Sequence, residues 1–329
     1  MNIRIVTEEE LRRCVEMDNE SLEAVEQSFV SLSKGEATVP PIMRIPVPER
    51  TGEVDVKSAH IHGLESLTIK VASGFYENLQ RGLPSSCGLM VIVSAETGFI
   101  QAVLLDNGYL TDVRTGLAGA IAAKYLAKDS IGTAGVIGSG AQARYQMRAL
   151  KLVRDYRRLL VYGIVPEEVD RYISDMSSVL SVEIFRAKSA EEVVRNSDVV
   201  VTTTPSRTAY LRPEWLHPGL HITAMGTDAE DKQELFPEVL GRADRLVCDR
   251  KSQCLRLGEL HHGIEAKVIS CDSRLDELGE IIAGNKPGRE SDEQITVCDL
   301  TGVGVQDTAI ALLAYNKAVE KGVGLNIET

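Results

Sequence analysis

The sequence predicts an α/β protein: a doubly wound parallel sheet, with an α+β region ahead of it. Two observations carry this reading. From about residue 111 onward, apolar β-branched runs alternate with helical stretches; the runs are TAGVIG, RLLVYG, VEIF, DVVVTTT, LHITAM, RLVCD and ITVCDL. Apolar strands separated by amphipathic helices imply a parallel sheet covered on both faces. The stretch TAGVIGSGAQARYQ, residues 133–146, places Gly138-x-Gly140-x-x-Ala143 between a strand-like run and a helical one. Glycines in that order allow a tight turn and bring backbone N–H groups close to a pyrophosphate.

Taken in order, TEEELRRCVEMDNESLEAVEQSFVSLSKGE reads as two helices with acidic starts. VPPIMRIPVPERTGEVDVKSAHI follows; its prolines exclude helix and its later half alternates like a strand. SLTIKVAS, GLMVIVSAETG and FIQAVLLDNG read as strands with glycine-containing turns. TDVRTGLAGAIAAKYLAKD is an Ala-rich helix with Thr111 or Asp112 in the N-cap position. The helix VQDTAIALLAYNKAVEKG packs back on the first region in this reading. The domains are then 1–112 with 305–329, and 113–304.

Composition narrows the function. A formal net charge of −12 argues against a nucleic-acid partner, because phosphate binding needs a basic surface. No run of 18 apolar residues is present, so no membrane span is expected. The first residues, MNIRIVTEEELRRCVE, carry charges throughout and do not read as a signal peptide. Cysteines stand at 14, 87, 248, 254, 271 and 298 without CxxC spacing; they read as free thiols in a reducing cytosol. His60, His62, His261 and His262 have no Cys or Glu at the spacing of a familiar zinc motif, so no metal site is expected.

The glycine segment raises the question of which cofactor fits. NAD-binding folds often carry an acidic residue at the end of the second strand, bonding the ribose 2′-hydroxyl. Here that position is Gly163, followed by Ile164. No carboxylate repels a 2′-phosphate, and neither position offers an Arg to hold one, although Arg144 lies within reach along the chain. NAD and NADP both stay open.

Three further segments stand out. IKVASGFYENLQRGLPSSCG carries Lys70 and the turn Gly82-Leu83-Pro84. NGYLTDVRTGLAGAIAA carries Arg114 and Thr115. ITAMGTDAEDKQEL places Asp228 just past a strand, where a doubly wound sheet lines its ligand crevice. With Gly138-x-Gly140-x-Gln142-Ala143, this set resembles the ornithine cyclodeaminase/μ-crystallin family over essentially the whole chain. VVTTTPS, CDRKSQCLRLGELHH and DEQITVCDLTGVGVQDTAIA are similar to that family's ectoine-utilisation branch. The resemblance implies a Rossmann domain binding NAD or NADP, and an N-terminal domain that binds substrate and forms a homodimer. It implies chemistry at the α-carbon of an amino or imino acid, as in alanine dehydrogenases, ketimine reductases and ornithine cyclodeaminases. The thyroid-hormone-binding crystallins of the family are the non-enzymatic alternative.

By position, the resemblance makes Arg44, Lys70 and Arg114 the cations for substrate. Physically, an α-carboxylate needs such donors, and Arg can bind it bidentately. The plainer readings are a solvated strand-edge Arg44 and a snorkelling Lys70; Arg114 sits poorly at a helix start, where the dipole opposes a cation. Asp228 matches the proton donor or acceptor at the substrate's amino group, with a helix N-cap for AEDKQELF as the plain alternative. The resemblance assigns Ser85 to the nicotinamide amide, Thr115 to a phosphate, and Thr203, Thr204 and Ser206 to the ribose. Gly138, Ser139, Gly140, Ala141 and Gln142 take the pyrophosphate loop. Met225, Gly226 and Lys232 touch the cofactor in the same assignment, and Gly302 and Val303 close over the nicotinamide. One departure bears on substrate. Ornithine cyclodeaminases have a carboxylate 13 residues before the strand lysine, and here that residue is Lys57, with Asp55 and Glu53 on the same strand face. Lys57 in the pocket repels a distal ammonium and favours a small or acidic imino acid.

Overall fold

The computed structural model describes residues 2–270 and 274–328. The chain divides into two compact units, Met1–Arg114 with Val303–Thr329, and Thr115–Gly302. Of the cysteines, Cys14, Cys248, Cys254 and Cys298 are buried free thiols and Cys87 is an exposed one. Cys271 lies outside the described residues. No helix among the described residues is long and apolar enough to cross a membrane.

The first unit begins with β1 (Asn2–Thr7), α1 (Glu8–Cys14) and α2 (Asn19–Ser33). Thr7 and Glu10 form a capping box at α1, and the Asp18 side chain accepts from Ser21 N–H at α2, each satisfying donors that a helix start leaves open. Then come β2 (Ala37–Thr38), β3 (Met43–Val47), β4 (Gly52–Ile61), β5 (Ser66–Phe75), β6 (Ser86–Ser94) and β7 (Ile100–Leu105). With the last strand of the chain, β16 (Leu325–Glu328), the sheet order is β16-β1-β7-β6-β5-β4-β2, with β3 pairing on β4. β1 and β16 were not among the sequence expectations, although NIRIVT alternates apolar and polar residues as a strand does.

α3 (Tyr109–Leu126) starts earlier than the sequence reading placed it. Asn107 and Gly108 turn the chain with positive φ, and the Asp106 carboxylate accepts from Leu110 N–H. Thr111 and Asp112 are therefore inside the helix rather than capping it. Arg114 and Thr115 fall in its second turn, so the dipole argument about Arg114 at a helix start does not apply.

The second unit holds β8 (Thr133–Ile137), α4 (Ala141–Val153), β9 (Arg158–Tyr162), α5 (Pro166–Ser177), β10 (Glu183–Arg186), α6 (Ala190–Arg195), β11 (Val199–Thr202), β12 (His221–Ala224), α7 (Pro237–Arg242), β13 (Arg245–Cys248), α8 (Lys251–Cys254), α9 (Gly258–Glu265), β14 (Leu275–Glu277), α10 (Leu278–Ile282) and β15 (Thr296–Asp299). Its order is β10-β9-β8-β11-β12-β15-β13-β14, and every pairing is parallel. This is the Rossmann-type doubly wound sheet. The chain order reverses between β8 and β11, which is where such sheets open a ligand crevice. Strands β11, β12, β13 and β15 are buried along their whole length, which explains their continuous apolar runs.

The chain returns to the first unit with α11 (Gly304–Glu320) and β16 (Leu325–Glu328). α11 packs on α2 and on β4 and β5. Gly304 makes that approach possible: a Cβ there would stand 2.5 Å from the Ser58 carbonyl oxygen.

Candidate active site

The first unit gathers a buried charged cluster. β4 and β5 are antiparallel, and their register sets Lys57 directly opposite Lys70. Both lysines are buried, which overturns the snorkelling alternative for Lys70. α3 contributes Arg114 and α11 contributes Asp307, both buried as well. Lys70 Nζ lies 2.8 Å from Asp307 Oδ1, and Arg114 Nε lies 2.9 Å from the same oxygen. Arg114 also donates to Gln306 Oε1 at 2.8 Å. Two cations therefore share one carboxylate oxygen, with Lys57 facing Lys70 across the strands. Burial, and then the Arg114 charge, bring the Lys70 pKa down to about 7 against the opposing pull of Asp307. Burial alone would raise Asp307, but Arg114 and Lys70 outweigh it and hold the carboxylate below its ordinary range.

Arg44 is placed differently from the other cations. It donates to both oxygens of Asp55, at 2.8 and 2.6 Å, and lies 3.6 Å from Glu53. Its register partner on β4 is Asp55 itself. Arg44 is therefore neither a bare solvated arginine nor an unopposed cation. The expected count of four converging positive charges is reduced by the two carboxylates beside it.

In the second unit, Gly138 has φ +114°, and a Cβ there would meet Thr203 Oγ1 at 2.4 Å. Only glycine allows the β8 end to pass the β11 end at the reversal point. Gly140 caps α4 with open space where its Cβ would be, no side-chain cap, and no acidic residue in the first turn. That helix start keeps its positive end clear for an anion. Ser139, Ala141 and Gln142 complete the loop. At the end of β9, a Cβ on Gly163 would come 3.1 Å from Ser139 Oγ, so the usual acidic position abuts the glycine loop. Arg144 is held by Asp175 at 2.6 Å and by the Ser139 carbonyl at 2.5 Å, which ties it down rather than leaving it to reach a 2′-phosphate. These residues fit a dinucleotide.

Past β12, Met225, Gly226, Thr227 and Asp228 lead into a turn rather than a helix. This overturns the N-cap alternative for Asp228. Its carboxylate is partly exposed and lies 2.6 Å from Lys232 Nζ, which is itself buried. Thr115 is too deep in α3 to offer an open N–H, because only the first four helical N–H groups lack intrahelical partners; its hydroxyl alone remains for a phosphate. Thr204 uses both its N–H and its hydroxyl on Glu234. The Ser206 hydroxyl donates to the Thr208 carbonyl. In the first unit, Ser85 follows the Gly82 turn, where its carbonyl accepts from Phe75 N–H. Val303 is buried as the N-cap of α11. Gly302, with φ +79°, donates to Asp249.

The family model described as ornithine cyclodeaminase/mu-crystallin matches residues 2–322. The chain belongs to this family. Among its relatives is an uncharacterized cyclodeaminase of Sinorhizobium fredii, 46% identical over 99% of each chain. The Delta(1)-pyrroline-2-carboxylate reductase of Thermococcus litoralis, solved with NADH and L-proline, superposes with a TM-score of 0.94. It is 34% identical over 98% of this chain and 100% of its own. An archaeal alanine dehydrogenase dimer with bound NAD gives a TM-score of 0.92 at 37% identity, over 100% of this chain and 99% of its own.

Within this member of the family, sequence reasoning gave no role to Asp307, Gln306 or Glu234, although Glu234 closes the run Gly226-x-Asp228-x-x-x-Lys232-x-Glu234. A signal for Asp307 existed. QDT opens an otherwise apolar, Ala-rich helix, and a lysine on an apolar strand needs a buried counter-charge. The histidines also gained a neighbour: His261, His262 and Glu265 bring ligand atoms within 4.8 Å of one another. His262 Nε2, however, is bonded to the Lys232 carbonyl oxygen at 2.7 Å.

Proposed function

We propose that this protein is a cytoplasmic NAD(P)-dependent imine reductase or amino-acid dehydrogenase, acting at the α-carbon of a small or acidic amino or imino acid. The observation that carries the reading is the buried pairing of Lys70 and Arg114 with Asp307, with buried Lys57 facing Lys70 across the strands. Buried cations need anionic partners in good geometry, and a substrate carboxylate is a partner that Lys70 and Arg114 are placed to share. Lys70 and Arg114 take the α-carboxylate, with Arg44 and Lys57 near it. Asp228 exchanges a proton with the α-nitrogen. Gly138 to Gln142 hold the pyrophosphate, Thr115 a phosphate, and Ser85, Thr203, Thr204, Ser206, Met225, Gly226, Lys232 and Val303 the rest of the cofactor. A bound nicotinamide supplies or accepts the hydride.

In this reading the first unit binds substrate and forms a homodimer, and the second binds the cofactor. The motifs VVTTTPS and CDRKSQCLRLGELHH support a place in the ectoine-utilisation branch. The relatives include reductases, a dehydrogenase and a cyclodeaminase. Net change in nicotinamide absorbance with a panel of imines and amino acids, under both cofactors, decides the matter. Stoichiometric cofactor use supports the proposal. Ornithine turnover with no net cofactor change would show a redox-neutral cyclodeaminase instead, and absence of turnover on the whole panel would favour a binding protein.

A further inference from the structure

Glu234 has no exposed surface, lies past the catalytic loop and enters none of the roles above. Its carboxylate accepts five hydrogen bonds. Oε1 takes Thr204 N–H and the Thr204 hydroxyl, both at 2.7 Å, and the Tyr210 hydroxyl at 2.8 Å. Oε2 takes the Thr202 hydroxyl at 2.6 Å and Gly226 N–H at 2.9 Å. Thr202 and Thr204 stand at the carboxyl end of β11, and Gly226 just beyond that of β12. One carboxylate therefore ties the ends of two adjacent parallel strands. Glu259 secures it from behind, accepting from Glu234 N–H and from the Thr227 hydroxyl. Gly226 is matched to the arrangement: a Cβ there would stand 2.5 Å from Glu234 Oε2 and 2.3 Å from the Thr204 carbonyl oxygen.

The place of this clasp decides its meaning. A doubly wound sheet binds one mononucleotide half of a dinucleotide on each side of its reversal point. β9 and β10 lie on one side of β8; β11 and β12 lie on the other. The adenosine ribose belongs at the β9 end, so the nicotinamide half belongs at the β11 and β12 ends. We infer that Glu234 is a positioning residue for the nicotinamide half of the cofactor, holding the 203–206 and 225–228 segments in one fixed arrangement through a carboxylate that touches neither cofactor nor substrate. The inference rests on the cofactor reading above.

Glu234→Gln tests it, because the change keeps shape and removes only acceptor capacity. Hydroxyls of Thr202, Thr204 and Tyr210 can rotate to accept from an amide nitrogen. Backbone N–H groups cannot. Whichever way the amide is turned, its NH2 faces either Gly226 N–H or Thr204 N–H, and one strand end loses its anchor. NADH and ADP-ribose are titrated into wild type and variant by fluorescence and calorimetry. The expected result is tenfold or greater weakening of NADH, ADP-ribose affinity within about twofold of wild type, and a lower kcat. A merely structural role would weaken both ligands together or leave both unchanged, and either outcome overturns the inference. If Glu234→Gln does not fold, Thr202→Val removes one donor and leaves the carboxylate. It should then weaken NADH about threefold or more with ADP-ribose unchanged, and equal effects on the two ligands overturn the proposal. NADPH is titrated in parallel, and wild-type protein that binds none of NADH, NADPH and ADP-ribose would overturn the cofactor reading and this inference with it. Wild-type binding without the selective loss overturns only the inference.

Discussion

Lys70 and Asp307 lie 237 residues apart in sequence and meet at 2.8 Å, each almost wholly buried. The contact joins the middle of β5 to the first turn of α11. It makes the C-terminal helix a supplier of charge to the strand that carries the candidate substrate lysine. Asp307→Asn should leave Lys70 and Arg114 without their shared carboxylate. Breaking a buried pair by removing one partner costs about 3–5 kcal/mol, and chemical denaturation should show a loss of that order. A loss below about 1 kcal/mol would mean that Lys70 and Arg114 do not depend on Asp307.

The depressed Lys70 pKa predicts a pH dependence with a definite sign. Below pH about 7 the lysine is charged in both folded and unfolded chains, and its burial cost is fully present. Between about 7 and 10.5 the folded chain holds fewer protons at this site than the unfolded chain. Its contribution to stability therefore rises with pH through that window. Catalysis should move the opposite way, because carboxylate binding needs the cation. A descending limb in kcat/KM above pH about 7 is expected. Lys70→Arg should abolish that limb, since Arg does not deprotonate in this range. A limb that persists unchanged in Lys70→Arg belongs to another group.

Asp228→Asn should remove turnover while leaving cofactor binding nearly intact. The carboxylate sits past the end of β12, partly exposed and 2.6 Å from Lys232 Nζ. Loss of one general acid/base group lowers rate by on the order of 10²–10⁴. Steady-state rates and NADH titration measure the two effects separately. Activity within about threefold of wild type would remove Asp228 from the chemistry.

The parallel sheet was legible because its strands are buried on both faces and their apolar runs are unbroken, as in DVVVTTT. Gly138 was legible because one backbone conformation demands it. The start of α3 was misread for a physical reason. Its cap is Asp106, separated from the helix by the Asn107–Gly108 turn, whereas Thr111 and Asp112 sit where local capping preference pointed. Arg44 looked like a cation available to substrate because side-chain pairing across strands depends on register, and register sets Asp55 opposite it. The roles of Asp307 and Glu234 were harder to read for the same reason: a buried carboxylate takes its role from partners far away in sequence, and neither QDT nor the spacing of Glu234 after Lys232 names those partners.

The last prediction concerns substrate charge. With Arg44 occupied by Asp55, the positive field at the site comes from Lys57, Lys70 and Arg114 against Asp307. Lys57 is the member whose role differs from the rest. It is buried on the same face of β4 as Asp55 and directly opposite Lys70, a spacing of about 4.5–5.5 Å between Cβ atoms for facing residues. If Lys70 and Arg114 hold the α-carboxylate, Lys57 is left to meet the distal part of the substrate, where it favours an anion and repels an ammonium. A close charge pair near a protein surface is worth ~1–4 kcal/mol, so Lys57→Glu should shift the preference from dicarboxylic toward diamino substrates by about tenfold or more. Arg114→Ala serves as the contrast: it should raise KM for every substrate alike, because all share the α-carboxylate. Kinetics on aspartate-like, alanine-like and ornithine-like substrates separate the two patterns. The assignment of Lys57 fails if wild type prefers ornithine or lysine, and it fails equally if Lys57→Glu leaves the order of substrates unchanged.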